Sequence, residues 1–124
     1  MPIVSDIRKL LLDNATIASL VGNTRIHSQV MPQDGSLPAI VLTLVSYVPE
    51  NSLDGSAENR LGTSRVQVDC YSPRYEQAHL IQEAVNSVIA NLRTPIGGVM
   101  DSMRDLYDDE TRVFRVSADY LVTR

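Results

Sequence analysis

One stretch of this chain constrains its fold more than any other: residues 61–92, LGTSRVQVDCYSPRYEQAHLIQEAVNSVIANL. Its first half alternates. Val66, Val68 and Cys70 point one way, and Arg65, Gln67, Asp69 and Tyr71 the other, which is the period of a half-buried strand. At Ser72-Pro73 the period changes. Ala78, Ile81, Val85, Val88 and Leu92 then recur at steps of three and four, the apolar stripe of an amphipathic helix. Ser72 suits an N-cap, Pro73 the first helical position, and Glu76 the first turn, where the helix dipole favours a carboxylate. The residues thus specify a strand, a sharp corner and a helix lying back on a sheet. They contain no metal-ligand cluster and no phosphate loop.

The rest of the chain reads in the same way. Ile3, Ile7, Leu10 and Leu11 stripe a first helix over residues 3–12, and Asn14 caps a short helical turn over 15–20 that Gly22 closes. Residues 25–27 are a short strand, and 29–37, with Pro32, Gly35 and Ser36, are a loop. Residues 39–48, AIVLTLVSYV, are a strand with two apolar faces. Ile40, Leu42, Leu44 and Val48 share one face, and Val41, Thr43, Val45 and Tyr47 share the other. Such a strand is expected to be buried on both sides. In a chain of 124 residues the second face is expected to meet another subunit, which makes Val41, Thr43, Val45 and Tyr47 the candidate contact residues.

Residues 49–62, PENSLDGSAENRLG, are polar. A loop of this length in a compact domain is usually functional or disordered, and Asp54-Gly55 suits the turn of a protruding β-ribbon. Its Glu50, Asn51, Ser52, Leu53, Asp54, Glu58, Asn59 and Arg60 are the candidate assembly residues. After breaks at Thr94-Pro95 and Gly97-Gly98, residues 99–106 and 112–122 form two strands joined by the acidic turn Tyr107-Asp108-Asp109-Glu110. The order α-β-β-β-α-β-β gives one α+β domain over residues 1–124. It is a two-layer sandwich, with two main helices packed on one face of a mostly antiparallel sheet.

Composition narrows the function. The net charge of −4 argues against a nucleic-acid grip, which needs a basic face to displace counterions from phosphates. One cysteine cannot close an internal disulfide, so nothing points to an oxidising compartment. The N-terminus mixes charge into its apolar residues, unlike a signal peptide, and no run approaches a membrane span. The expectation is a soluble cytoplasmic domain.

Cys70, with His27 or His79 as base, is the one candidate nucleophile. Its strand face, shared with Val66 and Val68, instead predicts a small buried core residue. His79 lies off the helix stripe and is expected on a solvated surface. Asp105, Asp108, Asp109 and Glu110 crowd one hairpin and offer oxygen ligands for Mg²⁺ or Ca²⁺, without an EF-hand pattern; solvated charge is the simpler reading.

Three segments together resemble one known family. They are IRKLLLDNATIASLVGNTRIHSQVMPQDGSLPAIVLTLVS at 7–46, RVQVDCYSPRYEQAHLIQEAVNSVI at 65–89 and RDLYDDETRVFRVSADYLV at 104–122. Their order and spacing are similar to those of tail-completion proteins of long-tailed phages and prophages, also called tail terminators or tail-to-head joining proteins. The resemblance covers nearly the whole chain except 49–62. Two positions depart from the pattern: His27, where such proteins often carry an aromatic, and Tyr71, often Trp. The resemblance implies a structural protein without enzymatic activity or cofactor. It implies a ring, commonly a hexamer of the chain itself, that sits on the last ring of the major tail tube protein, stops tube growth and meets the head-completion connector protein. Genomic DNA would pass through the ring without specific binding, and no membrane is involved. The alternative is a small α+β binding module that holds a peptide or ligand on its sheet face.

Overall fold

The structure, a computed structural model, describes residues 3–22, 24–30, 36–49, 62–91 and 97–123. In chain order these residues form α1 (Ile3–Leu12), α2 (Ala15–Val21), β1 (Ile26–Ser28), β2 (Ala39–Pro49), β3 (Gly62–Ser72), α3 (Tyr75–Ala90), β4 (Gly97–Asp108) and β5 (Val113–Thr123). The strands make one five-stranded sheet in the order β1-β2-β3-β5-β4. β1 runs parallel to β2, and every other neighbouring pair is antiparallel. The α+β two-layer class is as expected, with α2 a helix in its own right.

The helices cover one face of the sheet. Ile7 and Leu11 from α1, Ile17 and Val21 from α2, and Ile81, Val85 and Ile89 from α3 pack in one core with Ile40, Leu42, Val66, Val68, Cys70, Val116, Ala118, Tyr120 and Val122. Each fully buried Ile or Leu contributes about 1.5–3 kcal/mol relative to exposure. The predicted α3 stripe is met at Ala78, Ile81 and Val85. Ile89 completes it, while Val88 packs at its margin and Leu92 lies outside the described residues. Asn14 caps α2 as expected: its Oδ1 accepts from the Ile17 N–H at 3.1 Å. Gly22 closes that helix at φ 76°, with its N–H bonded to the Ala18 carbonyl.

The corner after β3 differs from the expectation in detail. Ser72 is the last residue of the strand, and the N-cap position falls at Arg74, whose side chain makes no capping bond. Ser72 still organises the turn, since its Oγ accepts from the Arg74 N–H at 3.0 Å and donates to Gln77 Oε1 at 2.7 Å.

β2 departs more. Its first four residues are buried, and its remainder passes from half-buried to exposed, so the strand is not covered on both sides along its length. A bulge at Val45 shifts the register between Leu44, opposite Val66, and Ser46, opposite Arg65. One inserted residue turns every later side chain to the other face. Tyr47 therefore sits opposite Ser64 on the helix side, and Val48 sits opposite Thr63 on the open side. The expected faces of these two residues are exchanged.

Candidate assembly surfaces

The face of the sheet away from the helices carries a polar network. Arg65 on β3 reaches past β5 to Asp101 on β4, 2.7 Å from Nη1 to Oδ2, with Asp119 at 3.9 Å. The hydrogen bond and charge of Asp101 hold the guanidinium pKa above its ordinary value, against some desolvation. Asp101 can reach because it is itself a bulge, between Met100 opposite Tyr120 and Ser102 opposite Asp119. Nearer the other end, Gln67 Nε2 donates to Asp69 Oδ2 at 2.9 Å, and Arg115 Nη1 lies 3.4 Å from the Tyr71 hydroxyl, to which it donates. The Arg115 Nε is 3.8 Å from Asp69 Oδ1, and both of these atoms are buried without a hydrogen bond.

An open cleft of about 720 Å³ adjoins this cluster. It is lined by Leu37, Tyr71, Leu106, Val113 and Arg115 together with the acidic hairpin tip from Asp108 to Thr111.

The predicted contact residues are spread out. Val41 is buried, Thr43 half-buried, and Val45 and Tyr47 exposed at 50% and 55%. The bulge separates Tyr47 from the other three; its ring lies where a Cβ on Gly62 would sit. Leu44, Val45 and Val48 remain as exposed apolar residues on β2. The loop candidates Glu50, Asn51, Ser52, Leu53, Asp54, Glu58, Asn59 and Arg60 lie outside the described residues.

The possible chemistry recedes. Cys70 is fully buried. Burial, helped by the charge of Asp69, pushes its thiol well above the ordinary value of 9.0, which keeps it protonated and unreactive. His79 is not simply solvated. Its Nε2 lies 2.8 Å from Asp105 Oδ1, Tyr75 donates to Asp105 Oδ2 at 3.0 Å, and the Tyr75 and His79 rings stand 4.7 Å apart. The Asp105 contact raises the Tyr75 phenol pKa. Phe114 and Tyr107 extend this group into an aromatic cluster on the helix side. The acidic hairpin is divided, because β4 alternation puts Asp105 on the helix side and Asp108 on the open side. Asp108 Oδ1 is occupied by the N–H groups of Glu110 and Thr111. Among the described residues, no group of three or more His, Cys, Asp or Glu is placed to hold a metal ion, and no helix is long and apolar enough to cross a membrane.

Sequence reasoning missed the aromatic cluster and the Arg115–Asp69–Tyr71 group. His79 and Tyr75 lie 26 and 30 residues from Asp105, and Tyr71 lies 44 from Arg115, so the fold, not the local sequence, brings these partners together.

Comparison with known proteins gives a family. The model of the family described as tail completion protein gp17 matches residues 5–123. No curated protein matches the chain. Among solved structures, a chain in the virion of a native gene transfer agent particle superposes with a TM-score of 0.68 at 14% identity, covering 99% of this chain and 98% of that one. At that identity the likeness is one of fold.

Proposed function

The chain belongs to the tail completion protein gp17 family, and we propose that it is a structural part of a phage tail. It assembles head to tail as a ring, commonly of six copies, on the last ring of the tail tube. There it ends tube growth and presents a surface to the head connector. The observation that carries this reading is the family match over residues 5–123. The structure suits it: exposed apolar side chains stand on the outer strands, Leu44, Val45 and Val48 on β2 and Val99, Met103 and Leu106 on β4, and the one cysteine is sealed in the core.

The polar loop at 49–62 serves in this reading as the arm that engages the neighbouring subunit or the tube. Deleting 51–59 removes one large apolar residue, Leu53, so the variant is expected to fold and to fail in joining. Infectious particles at normal titre from that variant would show that the loop is not the working element. Genomic DNA passes without being held, because a net charge of −4 offers the phosphates few ion pairs. Tight DNA retention by the assembled ring at low salt would contradict this.

Mass in solution tests the ring. A multimer is expected, alone or on adding tail tube protein. The cleft beside Tyr71 and Arg115 favours a second reading, a module that holds a peptide or ligand on its sheet face. A strict monomer at high concentration with tube protein present, combined with saturable binding in that cleft, would support it instead.

A further inference from the structure

The two edges of the sheet are complementary to each other, and we propose that the subunits of the ring join by pairing β4 of one copy with the β1–β2 edge of the next. This rests on the ring reading above and specifies its interface.

Among the described residues both edges are open. β4 is a 12-residue outer strand with one neighbour, β5, and it is solvent-facing for most of its length. At the other edge β1 pairs only with Ile40, Val41 and Leu42. Beyond it, residues 43–49 of β2 have β3 on one side and no strand among the described residues on the other. A long edge bearing apolar side chains is a template for another strand. Val99, Met103 and Leu106 stand exposed on β4, and Leu44, Val45 and Val48 on β2.

The directions agree. β2 is antiparallel to β3, β3 to β5, and β5 to β4, so β2 and β4 run oppositely within one subunit. A second copy placed beside the first in the same orientation therefore lays its β4 antiparallel to β2 and β1. This contact is heterologous and can repeat around a ring. The shapes agree as well. Both edge strands bulge beside the row that joins Leu44, Val66, Tyr120 and Met100, at Val45 and at Asp101. Bulges sharpen local twist, so the two edges bend at the same height.

Charge selects the partner. Ile26, Ile40, Cys70, Val116 and Asp105 form one row across the sheet. At the β1 end of that row the Arg8 guanidinium donates to the Ile26 carbonyl at 2.8 Å, with Lys9 exposed beside it on α1. At the β4 end stands Asp105, followed by the acidic hairpin tip. With neighbouring copies at equal height, Arg8 of one faces Asp105 of the next. Arg8 and Lys9, with Asp6 also on α1, thus meet the Asp105 end of the next copy, where Arg104 adjoins and Tyr75 and His79 already touch the Asp105 carboxylate. The matching occupant is a second copy of this chain.

Hydrogen exchange on the wild-type chain, as monomer and as the ring formed alone or on tail tubes, tests this directly. In an antiparallel strand, alternate amides point outward. Those of residues 43–49 and 98–106 are expected to exchange about a hundredfold more slowly in the ring, as hydrogen-bonded strand amides do. Arg8→Glu is expected to weaken ring formation about tenfold, and adding Asp105→Arg to restore it. A ring whose edge amides keep the monomer rate, or in which only one edge is protected, overturns the inference and leaves the ring reading standing. A chain that stays monomeric with tubes present overturns both.

Discussion

The Gln82 side-chain amide donates a 2.9 Å hydrogen bond to the Tyr120 hydroxyl, and both residues are buried between α3 and β5. The hydroxyl donates in turn to Asn86 at 3.3 Å, so one phenol ties the helix layer to the sheet. Tyr120→Phe leaves the buried Gln82 amide without this partner. The expected cost is about 1–3 kcal/mol, read as a thermal midpoint lower by roughly 3–10 °C for a domain of this size. An unchanged midpoint would mean that the bond does not fasten the layers.

Burial separates two strand positions that look alike in sequence. Val68 is fully buried and Val48 is 65% exposed on a free strand edge. Val68→Asp places an unpaired charge in the core and is expected to abolish the native far-UV circular dichroism, since its cost rivals the whole stability of about 5–15 kcal/mol. Val48→Asp is expected to leave the thermal midpoint nearly unchanged and to weaken ring assembly. Equal assembly by Val48→Asp and wild type would remove Val48 from the interface.

The stability of the fold should fall in alkali. Burial raises the Cys70 thiol above its ordinary 9.0 and the Tyr120 phenol above its ordinary 10.0. Above pH 9 the unfolded chain releases protons that the folded chain keeps, so the unfolded state binds fewer protons and stability declines as pH rises. Below pH 9 the contribution is complete. The slope reaches about 1.4 kcal/mol per pH unit for each group. Urea titrations at pH 7, 9 and 10 read it, and Cys70→Ala should flatten the onset between pH 9 and 10. A wild-type stability flat to pH 10 would contradict a sealed thiol.

The fold class was legible because it rests on periods. The alternation of Val66, Val68 and Cys70 and the stripe from Ala78 to Val85 are properties of a few consecutive residues. What escaped depends on distant partners. The Val45 bulge has no local mark, since VSYV is as good a strand on either side of it. Only the pairing with Arg65 and Val66 shows that Tyr47 and Val48 have changed faces. The helix start moved two residues because Ser72, still in the strand, takes the Arg74 N–H itself. The two free edges, which carry the proposed interface, are properties of strand order, and strand order is not written in any one segment.

We propose that this chain closes a tail tube as a ring. Electron microscopy of tail tube protein polymerised with and without it tests this most directly. Tubes that stop growing and carry a ring of this protein at one end are the predicted result. Tubes of the same open-ended length in both samples, with the protein left free as a monomer, would contradict it.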